Sequence, residues 1–502
     1  MAKICLCLTG KTLAKDLEIL EKYKKYIDIA ELRVDYLEPD ERFLIRRFPE
    51  MAGIPVILTI RRGMDGGCFK GGEGSRITLL ANGLAYADAD RRRNFAYVDL
   101  EEDLNVPSLE EAARAFGTRI IRSWHNMESI DDNLADKLRK MRRVGDEIVK
   151  AAVMPKTLDD VVKMYKVAKE TGDVEKILHC MGEYGVNTRI LAEFLGSGIS
   201  YTTPTEEGDL PLAAPGQLDP KELAELYRFR EITAQTKIFA VAGYPLKVSD
   251  SPRLFNTVFG IEHDDAVYVP IPADSVASLI RLAEEIGISG LSITVPYKED
   301  VLPFLANKSK EVVSIGACNT LLASKQGWIG YNTDATGFSN SLLSFMGKKD
   351  FRGKKLTIVG AGGAARAVAS EVFRLKGKAL ILNRTPIRAC MLAAPYKFLW
   401  AGLDSQGASL MEKYSDIIIQ ASPAGMEPHP NEDPIAFYTF KGKETVMDLV
   451  YRPKKTICLK RAEQAGCRIL NGADMLYRQA RYQYNYFMGR EFPPSLVSRV
   501  GV

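Results

Sequence analysis

EIVKAAV (147–153), followed by LDDVVKMYKVAKE (158–170), is an apolar strand and then a helix with apolar residues at helical spacing. The same rhythm runs through the first 220 residues. Its other strands are KICLCLT (3–9), IDIAELRVD (27–35), IPVILTIR (54–61), FAYVDLE (95–101), TRIIRSWH (118–125), EKILHCM (175–181) and ISYTTP (199–204). Helical stretches such as LAKDLEILEKYKK (13–25) and DDNLADKLRKMRR (131–143) separate them. Eight strands with intervening helices predict a TIM (β/α)8 barrel. A doubly wound sheet is the alternative, but it usually opens on a Gly-rich turn, and none is present here.

The rhythm restarts after Lys221, where KELAELYRFREI (221–232) predicts a helix leading into a new strand, KIFAVAG (237–243). Further strands are expected at 264–270, 290–296 and 319–325. A third segment, KKLTIVGAGGAARAVASEVF (354–373), reads as strand, Gly-rich turn and helix, the opening of a dinucleotide-binding unit. We expect a barrel over 1–232 and a two-lobed α/β second half. Its first lobe covers 237–335 and is completed by 472–502, and a Rossmann-type lobe covers 336–471.

The 68 basic and 64 acidic residues leave a net charge of +4, small for 502 residues. That argues against a dedicated nucleic-acid binder, which needs a concentrated basic face. No apolar run is long enough to span a membrane, and the eight scattered Cys include no CxxC pair. Reduced thiols in the cytoplasm are the expectation. Of the four His, at 125, 179, 263 and 429, none has zinc-site spacing to another, so no metal is expected.

Barrel enzymes carry their chemistry at the C-terminal strand ends, and Glu31, Arg33, Arg61, His125, Lys150 and Arg189 fall there. Lys150 sits in an apolar strand; a desolvated lysine is nucleophilic and attacks a ketone to form an imine. The bland reading is an ammonium paired with a neighbouring carboxylate. His125 ends the preceding strand, where an imidazole near an imine removes a proton from the adjacent carbon. Arginines at strand ends clamp carboxylates. In the third segment, GAGGAA (360–365) has the G-x-G-x-x-A form, with Gly360, Ala361, Gly362, Gly363 and Ala364 facing a pyrophosphate. The next strand delivers Asn383, Arg384 and Thr385, with Arg388 beyond. Two arginines where an NAD site carries an acid predict a 2′-phosphate and hence NADP.

ELRVD (31–35), TIRRGMDGG (59–67), SWHNME (123–128), DEIVKAAVMP (146–155), MGEYGVNTR (181–189) and APGQ (214–217) together resemble the type I 3-dehydroquinate dehydratases. The resemblance implies that Lys150 forms a Schiff base and that His125 transfers protons, with Glu31 orienting it. It also implies that Arg33, Arg61 and Arg189 hold the substrate and that Gln217 lies on a closing loop. Asp65 stands where a Glu is usual, and Ala213 where a Ser often precedes APGQ.

GYPLKVSDSP (243–252), GLSITVPYKED (290–300), GACNTL (316–321), GYNTDATGF (330–338), DLVYRP (448–453) and NGADMLYRQA (471–480) resemble the shikimate dehydrogenases. That implies a catalytic pair, Lys298 and Asp334, with Ser249, Ser251, Thr294, Asn319, Tyr451 and Gln479 around the substrate. Val248, Phe255, Ser292 and Asp474 depart from the usual pattern. The two resemblances imply a bifunctional enzyme of the shikimate pathway. It turns 3-dehydroquinate into 3-dehydroshikimate and reduces that ketone to shikimate with NADPH. Two rival readings are a different Schiff-base aldolase in the first half, or one half kept as a binding scaffold. The sequence leaves the oligomeric state open.

Overall fold

The structure is a computed structural model that describes residues 1–85, 88–208, 210–246 and 249–496. The chain divides into two compact units, Met1–Ile238 with Phe259–Ile288, and Phe239–Val258 with Ser289–Val502.

The first unit holds eight parallel strands: β1 (Lys3–Leu8), β2 (Ile29–Arg33), β3 (Val56–Thr59), β4 (Tyr97–Glu101), β5 (Arg119–Asn126), β6 (Ile148–Val153), β7 (Lys176–Cys180) and β8 (Ile199–Thr202). Their spatial order is β7-β6-β5-β4-β3-β2-β1-β8, with a bridge from Lys176 to Ser197 joining the two ends of the sheet. This is the expected barrel. Its interior is a plug of side chains that includes Cys5, Cys7, Ile57, Ile121, Ile148, Ile177 and Tyr201. Cys5 and Cys7 share that inward face, as their spacing of two requires.

The helix Leu158–Glu170 follows β6 and starts where the Asp160 carboxylate accepts from the amides of Lys156 and Thr157. Such an acceptor satisfies donors that the first helical turn leaves free. Within this unit Asp159 pairs with Arg281 at 2.7 Å and Lys169 with Glu285 at 2.6 Å, both on the helix Val276–Ile286. Strand β9 begins at Lys237, and β10 (Ala266–Pro272) belongs to this unit.

The helix expected over 221–232 is corrected by the structure. A π-type turn covers Glu222–Leu226, Arg228 takes a left-handed φ of 48°, and a 3-10 turn follows at Phe229–Glu231. The Arg228 guanidinium donates to the Asp264 and Ala266 carbonyls, both at 2.9 Å. These bonds offset the backbone strain that ends the helix.

The second unit contains most of β9 (Lys237–Gly243), β11 (Ile288–Ile293), β12 (Leu305–Lys308), β13 (Thr320–Ser324) and β14 (Gly327–Tyr331). Strands β13 and β14 form an antiparallel hairpin against β11. A parallel sheet follows: β15 (Lys355–Val359), β16 (Lys378–Leu382), β17 (Leu399–Ala401), β18 (Ile417–Gln420), β19 (Thr445–Asp448) and β20 (Arg468–Leu470). Its order, β17-β16-β15-β18-β19-β20, places the first strand beside the fourth, as in a Rossmann sheet. Apolar clusters cover both faces, one around Ile358, Val368 and Ile381 and the other around Val359, Ile418 and Val446. No helix among the described residues is long and apolar enough to cross a membrane.

Candidate active sites

In the barrel, Glu31, Arg33, Arg61, His125, Lys150, Arg189 and Gln217 line one cavity, together with Asp65 and Ala213. Lys150 lies opposite Ser123 in the β5–β6 ladder, and His125 opposite Ala152, one inward position nearer the mouth. Lys150 is 5% exposed, so its ammonium is held by protein charges rather than by solvent. Its Nζ donates to Asp99 at 2.9 Å and lies 3.8 Å from Glu31. The lysine is therefore both buried and paired.

Asp99 was not singled out by the sequence, yet it organises the site. It also pairs with Arg61 at 2.8 Å and accepts from the Ser123 hydroxyl. Burial alone raises the Asp99 carboxyl, but the charges of Arg61 and Lys150 outweigh it and hold the group well below the usual carboxylate range. Asp99 is thus an anion beside Lys150, suited to stabilise a positive iminium there.

Burial, reinforced by the charges of Arg61 and Lys150, lowers the His125 pKa well below the ordinary value. Its buried Nδ1 has no hydrogen-bond partner among the described residues. The Glu31 carboxylate accepts instead from Thr59, at 2.9 Å, and from Cys7, at 3.2 Å. Glu31 is thus placed at Lys150 rather than on that nitrogen of His125.

The neutral imidazole makes a prediction. A histidine with a lowered pKa stays a base as pH falls through about 6.5, its unperturbed value, and protonates only below it. The kcat/KM of the barrel's reaction should therefore stay level through that range in a pH–rate profile. A break near pH 6.5 would contradict this role for His125.

The three arginines are not equivalent. Arg33 makes a two-point contact with Asp35, at 3.0 and 2.8 Å, while Arg61 holds Asp99 and Glu101. Arg189 is buried, its Nε has no hydrogen-bond partner among the described residues, and its terminal nitrogens reach only the Tyr201 and Pro215 carbonyls. Burial lowers its pKa to about 10. Of the three, Arg189 is the guanidinium with no acidic partner among the described residues. Gln217 accepts from Thr203, and the Pro215 carbonyl accepts from the Gly182 amide at 3.1 Å, which anchors the 214–217 loop. The Ala213 carbonyl, where a Ser is usual, lies 3.5 Å from Arg33. Asp65 pairs with Arg62 at 2.7 Å.

In the second unit Lys298 Nζ donates to Asp334 at 2.7 Å. Asn319 Nδ2 donates to the other Asp334 oxygen at 2.9 Å and to Gln479 at 3.3 Å, and Thr333 donates to Gln479 at 3.1 Å. Four expected residues thus form one network, to which the structure adds Thr333. Asp334 opens the helix Asp334–Met346, where an anion suits the positive end of the helix. Ser249 and Tyr451 share a side-chain hydrogen bond, and the Ser251 amide donates to Ser249 at 3.3 Å. Thr294 follows β11 and donates its amide to Ala242 at 2.9 Å.

The departures have structural places. Phe255 is fully buried beside Phe487, with ring centroids 5.8 Å apart, and so belongs to the core. Ser292 donates to Gln483 at 2.9 Å, and Asp474 pairs with Arg478 at 2.7 Å. Val248 lies outside the described residues.

The nucleotide turn follows β15. Gly360 has a φ of 119°, and a Cβ there would meet the Ala421 carbonyl oxygen at 2.9 Å. Only glycine fits that approach. Gly362 caps the helix Gly363–Arg374, and Ala361 and Ala364 flank the turn with side chains too small to block it. Strand β16 ends at Leu382, so Asn383, Arg384 and Thr385 form the loop beyond it, where Asn383 donates to the Thr385 carbonyl at 3.0 Å. The exposed Arg388 lies 3.7 Å from Glu299. A closely packed glycine turn on a helix N-terminus, with two arginines beyond the second strand, fits a dinucleotide carrying a 2′-phosphate.

Residues 4–234 match the type I 3-dehydroquinase model, and residues 241–321 match the shikimate dehydrogenase substrate binding domain. A Moorella thermoacetica shikimate dehydrogenase (NADP(+)) is 35% identical over 285 residues, covering 54% of this chain and 94% of that protein. An Arabidopsis thaliana chloroplastic bifunctional 3-dehydroquinate dehydratase/shikimate dehydrogenase is 28% identical over 93% of this chain and 79% of its own length. The chain belongs to both families. It is a type I 3-dehydroquinase joined to a shikimate dehydrogenase. A solved dehydroquinate dehydratase and shikimate dehydrogenase from S. pombe is 23% identical, with a TM-score of 0.43, over 99% of this chain and 98% of its own. In these terms Lys150 and His125 sit in the dehydroquinase barrel, and Lys298 and Asp334 in the dehydrogenase.

Proposed function

We propose that the barrel dehydrates 3-dehydroquinate through an imine on Lys150, and that the Lys298–Asp334 pair serves reduction of the resulting 3-dehydroshikimate to shikimate. The observation that carries the first step is a buried lysine held between Asp99 and Glu31, one inward position below a histidine whose pKa is lowered. Lys150 in its amine form adds to the substrate ketone, and loss of water from the adduct leaves a positive iminium beside Asp99. The iminium withdraws electrons, so His125 takes a proton from the neighbouring carbon. The enamine then expels a hydroxyl, which leaves as water once it is given a proton. Hydrolysis of the conjugated iminium restores the Lys150 amine and releases the enone. Arg189 holds the carboxylate throughout.

In the dehydrogenase half NADPH supplies hydride when bound, and Gly360–Ala364, Arg384 and Arg388 are the residues that hold it. Lys298 donates a proton to the carbonyl oxygen, while Asp334, itself held by Asn319, fixes the ammonium. Ser249, Ser251, Thr294, Tyr451 and Gln479 bind the remaining polar groups of the substrate. We assign dehydration to residues 1–232 and reduction to residues 237–502. We place the enzyme in the cytoplasm, where free thiols such as its buried Cys5 and Cys7 stay reduced.

Borohydride added with 3-dehydroquinate should trap the substrate skeleton on Lys150, identified by peptide mass spectrometry. With NADPH present instead, 3-dehydroquinate should be carried through to shikimate. An adduct on another lysine, or none, overturns the imine step.

A further inference from the structure

A second imidazole stands in the layer of His125. Across the β5–β6–β7 ladder His125 lies opposite Ala152, and Ala152 lies opposite His179. The two histidines therefore flank β6 at one level, one inward position beyond Lys150. On β8, Tyr201 meets His179 edge-on, with ring centroids 5.5 Å apart at 90°. The Lys150 ammonium sits 4.2 Å above the centre of the Tyr201 ring. His179 and Tyr201 are 2% and 4% exposed, and both line the cavity that holds Lys150, His125 and Arg189.

Their polar atoms are unmatched. Neither ring nitrogen of His179 and no atom beside the Tyr201 hydroxyl completes a hydrogen bond of good geometry among the described residues. The Ile199 backbone favours a proton on the His179 ring without reaching that geometry. Burying unpaired polar groups costs stability, and apolar side chains of similar shape would avoid the cost. Polar atoms kept at such a position call for a partner, and a substrate entering the cavity supplies one.

The chemistry of that partner follows from charge. Burial, then the charges of Arg189 and Lys150, hold His179 well below the ordinary histidine range, and burial raises the Tyr201 phenol well above its usual value. Both shifts favour the uncharged forms. A neutral imidazole and a neutral phenol each donate and accept, which suits an alcohol, whereas a carboxylate goes to Arg189.

We propose that His179 and Tyr201 form an uncharged subsite on the β7–β8 wall that binds a ring hydroxyl of the barrel's substrate and sets specificity for it. The subsite rests on the imine reading only for which molecule enters the cavity.

The test uses the full chain and compares 3-dehydroquinate with analogues that each lack one ring hydroxyl other than the one that leaves as water. Tyr201→Phe should lower kcat/KM for 3-dehydroquinate about tenfold, the loss of one hydrogen bond in a closed site. With the analogue lacking the bound hydroxyl, wild type and Tyr201→Phe should turn over alike. His179→Leu should behave in the same way, and His179→Asn, which keeps a donor and an acceptor, should recover most of the rate. Tyr201→Phe removes an unpaired buried hydroxyl, so its Tm should equal or exceed that of wild type. Losses equal for every compound, no loss at all, or a variant that does not fold would make the pair structural and overturn the proposal. Borohydride trapping in the same wild-type preparation judges the imine separately. A trapped Lys150 with flat analogue ratios sinks only the subsite, and analogue-specific ratios with no adduct sink only the imine.

Discussion

Lys150→Ala is expected to reduce dehydration of 3-dehydroquinate by about ten-thousandfold or more, because it removes the atom that bonds to substrate. No neighbouring group replaces it. Asp99 and Glu31 are acids, and the Arg61 guanidinium is committed to Asp99 and Glu101. The fold should survive the change, since Asp99 keeps its 2.8 Å contact with Arg61 when the ammonium is lost. Breaking a buried ion pair costs about 3–5 kcal/mol when a charge is left without a partner, and here it is not. Consumption of 3-dehydroquinate measured without NADPH gives the dehydration rate, and NADPH oxidation with 3-dehydroshikimate gives the reduction rate. The second should match wild type. A variant that keeps dehydration within about a hundredfold of wild type would remove Lys150 from the covalent step.

Lys298→Ala is expected to slow reduction by about a thousandfold while leaving dehydration unchanged. Proton donation by a positioned side chain is worth about 10² to 10⁴ in rate. Lys298 belongs in the middle of that range: Asp334, itself held by Asn319, leaves its ammonium little freedom. The loss should fall on kcat more than on KM, since the proton is needed as charge develops on the oxygen rather than for binding. A rise in KM with kcat intact would make Lys298 a binding group instead.

The barrel was legible because its strands are apolar on both faces and regularly spaced, and Lys150 is conspicuous in such a strand. Asp99 was harder to read. In Tyr97–Glu101 the residues Tyr97, Asp99 and Glu101 alternate with Val98 and Leu100, the pattern of a strand with one wet face. Closure of the barrel turns that face inward, and the register with β5 and β6 then brings Asp99 to Lys150. His179 was hidden for the same reason. It sits in an apolar run, and only the ladder from β5 to β7 shows that it shares a layer with His125. The broken helix at 221–232 was missed because its apolar spacing is helical. The interruption depends on Arg228 meeting carbonyls at Asp264 and Ala266, contacts distant in sequence.

The glycine turn after β15 is occupied on two accounts. The G-x-G-x-x-A pattern asks for glycine at 360 and 362 and leaves 363 open, yet residue 363 is also glycine. A Cβ at Gly363 would stand 2.6 Å from the Cβ of Lys298 and 3.1 Å from its Cδ. The stem of the proposed proton donor is thus pressed against the glycine turn proposed to hold the nucleotide. The choice of residue at 363 belongs to the lysine rather than to the phosphates. Even the smallest branch on that floor would be transmitted as a tilt of the acid, so that grip on the coenzyme and aim at the ketone are not adjustable one at a time.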